Sequence, residues 1–114
     1  MSEFRTKTYA AVPVHDAFPG VVRRTLASGE RLTLVEIRIA PGSNVPEHTH
    51  PHEQAGHVAA GQVRFRIGSE EFELEAGDSY LIPSGLPHYV EAVDAAVLIE
   101  VFSPVREDFV DDAP

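Results

Sequence analysis

The sequence has no cysteine. That absence excludes a thiolate metal site, a CxxC redox centre and a disulfide framework together, and it suits a reducing compartment. Lysine is almost missing too. Lys7 stands alone against eight arginines, so a Schiff-base mechanism would have to rest on a residue of the N-terminal arm. No apolar run approaches the roughly 20 residues that a membrane helix needs. Met1 to Ala10 mixes Glu3, Arg5 and Lys7 with polar residues and has no apolar h-region, so a cytoplasmic location is expected rather than a signal peptide. A basic face is also lacking. The formal net charge is −9, which argues against a nucleic-acid partner.

What is present suits one small domain. The 114 residues are enough to bury roughly two-thirds of the unfolded surface without a disulfide or structural metal. The expected organisation is a single domain over 1–114, with an N-terminal arm at 1–10 and an acidic tail at 107–114. Glu107, Asp108, Asp111 and Asp112 in that tail are read as a solvated charge cluster.

No segment carries a convincing helical period, whereas short alternating runs recur between Gly, Pro, Asn and Asp. Val35, Ile37 and Ile39 share one face, and Pro41-Gly42 ends that strand. Val63, Phe65 and Ile67 alternate with Arg64 and Arg66 before Gly68-Ser69 turns the chain. Phe72 and Leu74 then alternate with Glu71, Glu73 and Glu75, which predicts a hairpin whose outer face pairs arginines with glutamates. Strands are also expected at Tyr80 to Ile82, His88 to Val93 and Ala96 to Phe102. The last is apolar at both parities and is expected to be buried on both sides. The fold class is all-β, a small jelly-roll barrel.

Four of the six histidines fall between His48 and His57. Residues two apart on a strand point the same way, so His48 and His50 can both project inward, and neutral imidazole is the commonest ligand for first-row metals. His88 supplies a third, from a second turn-flanked segment. Pro51 interrupts the ladder before His52, which ranks lower; His57 is expected to face outward, and His15 to be an ordinary structural residue.

These residues also carry a resemblance. Gly42, five residues, His48-Thr49-His50, three residues, Gln54, six residues and Gly61 resemble the first motif of the cupin family, with glutamine in place of its glutamate. Gly77, five residues, Pro83-Ser84-Gly85, two residues and His88 resemble the second, whose final asparagine is Ala92 here. The resemblance implies one cupin jelly-roll barrel holding one divalent metal ion (Zn, Ni, Fe or Mn) through His48, His50, Gln54 and His88. It also implies a homodimer, to which Val21 to Ala27 would contribute. A neutral Gln54 leaves the full charge of about +2 on the ion, which favours Lewis-acid chemistry on an anionic, oxygen-rich substrate over oxygen activation.

The stretch His48 to Gln54 and the closing Phe102-Ser103-Pro104-Val105-Arg106-Glu107-Asp108-Phe109 are similar to small cupins of the KdgF type. Such proteins convert 4,5-unsaturated uronate monosaccharides from pectin and alginate into the linear 4-deoxy-5-keto form. The resemblance makes Glu100 and Arg106 the catalytic candidates and Phe102 and Arg106 the substrate-binding ones. Glu100 departs from the group's aspartate by one methylene. The expected activity is therefore a ring-opening isomerisation of a small anionic sugar. The alternatives are a metal-dependent dioxygenase of a small organic substrate and a non-catalytic ligand-binding cupin.

Overall fold

The computed structural model describes residues 4–112. The first three residues of the expected arm and the last two of the expected tail lie outside them. Ten strands run in order: β1 (His15–Phe18), β2 (Val21–Ser28), β3 (Thr33–Ile39), β4 (Asn44–His48), β5 (Glu53–Ala60), β6 (Gln62–Ile67), β7 (Glu70–Glu75), β8 (Ser79–Ile82), β9 (His88–Ala92) and β10 (Ala96–Ser103). They form two antiparallel sheets, a six-stranded one ordered β1-β2-β3-β10-β5-β8 and a four-stranded one ordered β4-β9-β6-β7. The two sheets make a jelly roll.

The expected hairpin is present. Phe65 faces Phe72, while Arg64 faces Glu73 and Arg66 faces Glu71 across β6 and β7. Arg64 bonds Glu73 at 2.8 Å on the outer surface. Inward residues of both sheets, including Val21, Ile39, Val58, Phe65, Ile82 and Leu98, make the core. Gly61, the last residue of the first motif, has φ of +83°, and a Cβ there would lie 2.1 Å from the Ala95 carbonyl oxygen. No other residue fits that turn.

One expectation changes. β10 is not equally buried on both faces. It lies between β3 and β5, with Ala96, Leu98, Glu100 and Phe102 inside and Val97, Ile99 and Val101 half-buried outside. The N-terminal arm is tied down at Arg5 and Tyr9: Arg5 donates to the Ser28 carbonyl at 2.9 Å, and the Tyr9 hydroxyl donates to Glu36 at 2.7 Å. The acidic tail is folded as well as solvated: Glu107–Asp112 forms a short 3-10 helix, with Glu107 and Asp108 exposed as expected. Within it Phe109 lies between two guanidinium groups, 4.0 Å from that of Arg23 and 4.1 Å from that of Arg106.

Candidate metal centre

Strand pairing brings the site together from three directions. His48 and His88 face each other across β4 and β9 in the smaller sheet. In the larger sheet Phe102 sits opposite Gln54, two residue pairs along from Glu100 and on the same face. His50 does not share a strand with His48, as the spacing suggested; it follows the end of β4. Its backbone is tied to the second motif instead, where Gly85 N–H donates to the His50 carbonyl at 2.9 Å.

The three rings cluster, with centroids 4.2 Å apart for His48 and His88, 4.9 Å for His50 and His88, and 5.5 Å for His48 and His50. One nitrogen from each lies within 4.8 Å of the others, a group that could hold a metal ion. The other nitrogens are already committed. Nδ1 of His48, His50 and His88 meets the carbonyls of Pro46 at 2.9 Å, His52 at 3.1 Å and Leu86 at 2.8 Å. A carbonyl only accepts, so each Nδ1 carries the proton and each Nε2 presents a lone pair.

Two observations show that these residues fit a cation. His88 Nε2 is buried with no hydrogen-bond partner. Gln54 Oε1 lies 3.0 Å from His50 Nε2, so two lone pairs confront each other, an arrangement that a shared cation makes favourable. The amide cannot turn over to relieve this, because its Nε2 donates to Glu100 Oε2 at 2.6 Å. Glu100 thus sets the face that Gln54 turns to the histidines. Burial, helped by the Arg106 charge, lowers the His50 pKa. Burial also takes His88 down to about 4, which keeps its imidazole neutral and free to ligate at neutral pH.

Glu100 is 7% exposed. Burial raises its carboxyl above the ordinary range, opposed by hydrogen bonds from Tyr80 and Gln54 and by the charge of Arg106. A cavity of about 320 Å³ runs inward from the cluster, lined by His48, Gln54, His88, Glu100, Phe102 and Arg106. Arg106 stacks 4.7 Å above the Phe102 ring and holds Asp108 through Nε at 3.0 Å and Nη2 at 2.7 Å. That pairing uses one edge of the guanidinium and leaves Nη1 available.

Other candidates are placed elsewhere. His52 Nε2 donates to the Val105 carbonyl at 3.2 Å, fastening the chain after β10. His57 is exposed, and His15 lies half-buried on β1. Sequence reasoning missed Tyr80, whose hydroxyl donates to Glu100 Oε2 at 2.5 Å, and also Arg23 and Phe109 at the cavity wall. A glycine inside β5 facing an aromatic on β8 was the available signal for Tyr80.

Fold and site together define a class. The Cupin domain family model matches residues 35–102, and the chain belongs to the cupin family. It is 32% identical over 99 residues to the pectin degradation protein KdgF of Dickeya dadantii (strain 3937), covering 85% of this chain and 90% of that one. Among solved structures, an RmlC-like cupin from Shewanella frigidimarina NCIMB 400 matches with a TM-score of 0.89 at 29% identity, over 95% of this chain and 97% of that one. KdgF from a Halomonas species matches with a TM-score of 0.88 at 26% identity, over 94% and 99% respectively.

Proposed function

We propose that this cupin is a metal-dependent isomerase that opens 4,5-unsaturated uronate monosaccharides to the linear 4-deoxy-5-keto form. The observation that carries the proposal is the buried Glu100 carboxylate, hydrogen-bonded to the Gln54 amide whose oxygen faces the three histidines. The likeness to KdgF over most of both chains supports the substrate class. His48, His50, His88 and Gln54 would hold one divalent ion, zinc, nickel, iron or manganese. Such an ion supplies Lewis-acid polarisation of a substrate oxygen.

The protein's own groups do the rest. Arg106 offers its free guanidinium edge to the sugar carboxylate, and Phe102 underlies both. Glu100 takes the proton of the anomeric hydroxyl while the bond from C1 to the ring oxygen breaks. The bonding pair leaves on that oxygen, giving an aldehyde and an enolate. Glu100 then returns the proton to C4, and the C5 carbonyl forms. No atom is gained or lost. The apolar cavity around Glu100 keeps its proton affinity high enough for both transfers. We place this chemistry in the cytoplasm, in a homodimer.

The test is the decay of the unsaturated uronate absorbance with metal-loaded protein, with and without oxygen. Turnover above buffer in both conditions is expected. Glu100→Gln, which keeps the size of the side chain, should retain the metal and lose on the order of 100-fold or more in kcat. Decay no faster than buffer overturns the proposal and leaves a ligand-binding cupin. Turnover that vanishes without oxygen points to a dioxygenase.

A further inference from the structure

Glu100 sits in the middle of an inward-facing row that crosses the larger sheet. Thr25 pairs with Val35, Val35 with Glu100, Glu100 with Gly56 and Gly56 with Tyr80. Tyr80 is therefore two strands from Glu100, yet its hydroxyl reaches Oε2 at 2.5 Å. It can do so because residue 56 between them has no side chain. A Cβ on Gly56 would fall 2.0 Å from Tyr80 Cζ and 2.3 Å from its hydroxyl oxygen, so the phenol lies directly over the glycine. Gly56 has no positive φ, so the glycine is needed for space and not for backbone conformation.

The two oxygens of Glu100 are treated unequally. Oε2 accepts from both Tyr80 and Gln54. Oε1 accepts from none of the described residues, and Glu100 lines the cavity while Tyr80 does not. Two donors converging on one oxygen fix both torsion and tilt of a carboxylate, which one donor alone leaves free to rotate.

We propose that Tyr80 is a positioning residue: reaching across Gly56, it locks Glu100 with Oε1 aimed into the cavity and Oε2 behind it, toward the Gln54 amide. The inference rests on the isomerase reading for its consequence in turnover, but not for the contact itself. Tyr80 touches neither the substrate space nor the histidine cluster. Its hydroxyl acts only through the carboxylate.

The test is Tyr80→Phe, which keeps the ring and its packing. Turnover of the unsaturated uronate should fall in kcat by on the order of 10- to 100-fold, with KM unchanged, since a misaimed proton carrier weakens the reaction and not binding. Metal stoichiometry, measured on the purified protein, should stay at the wild-type value. The contact is read independently by NMR on protein carrying ¹³C-labelled glutamate carboxyls. The Glu100 signal, assigned by its absence in Glu100→Gln, should move in Tyr80→Phe. Wild-type kcat in the variant, or a loss confined to KM, overturns the positioning role. Should wild-type protein show no turnover at all, the isomerase reading falls. The carboxyl signal then decides alone, and an unmoved signal overturns the inference.

Discussion

Gln54 and Glu100 lean on one another, and the identity of each depends on the other. With glutamine at 54, the Glu100 carboxylate receives an N–H at 2.6 Å. With glutamate there, two carboxyl groups would meet at that distance and could ionise together only at high cost, so the pair would hold a proton. The pair's folded pKa would rise above the unfolded value, and its contribution to stability would be lost as pH rises through that range. Metal-free Gln54→Glu is thus expected to lose roughly 2 kcal/mol more stability at pH 8 than at pH 5, relative to wild type. Denaturant titrations at the two pH values measure it, and equal losses would show that residue 54 does not face Glu100. How much of this was legible differs by residue. His48 and His50 stood out through their spacing, and His88 through its flanking turns. Glu100 could be singled out only by resemblance, since a single acid in an apolar strand has no local signature. Tyr80 was missed because Gly56 becomes a signal for it only once the register of β5 against both neighbours is known.

Among the elements, β3, β6 and β7 advertise themselves by strong alternation, and the last strand by a run apolar at both parities. β5 was missed because Gln54-Ala55-Gly56-His57-Val58-Ala59-Ala60 is poor in β-branched residues; its neighbours β10 and β8 hold it in the sheet. β4 contains Pro46, tolerated because β4 is an edge strand. The N-terminal arm is held by an unexpected element-level device on the outer face of β3. There Glu36 Oε1 accepts from Tyr9 at 2.7 Å, Arg38 at 3.0 Å and Arg24 at 3.2 Å. Burial alone would raise the Glu36 carboxyl, but hydrogen bonds from Tyr9 and Arg38 and the charges of Arg38 and Arg24 outweigh it and hold the carboxyl below its ordinary value. A depressed carboxyl stabilises the fold above about pH 4.5 and loses that contribution as pH falls through the folded value. Glu36→Gln should therefore be less stable than wild type at pH 7 by about 1 kcal/mol. The gap should close in thermal melts as pH is taken below the folded value. A gap that persists there would mean the ionised form is not what holds the arm.

At the scale of the whole molecule, the metal centre and the core are separable. The apolar cluster from Val21 through Leu98 is formed by both sheets without His48, His50, His88 or Gln54, and it forms the jelly roll's interior. The histidines sit at its open end, where His48 is exposed and His88 is 3% exposed. A folded protein therefore presents a preformed ligand set, with Nδ1 atoms already anchored to carbonyls, instead of a site that assembles around the ion. Chelation should then leave the protein folded but less stable. Metal at 100 times its dissociation constant adds about 2.7 kcal/mol to the native state, or roughly 10 °C in Tm for a chain of this size. Calorimetry on protein stripped with EDTA and then reloaded should show that shift, and His88→Ala should abolish it while still unfolding cooperatively. Unfolding on chelation would instead make the ion part of the core. An unchanged Tm would mean that the three histidines and Gln54 hold no cation, despite two lone pairs set face to face.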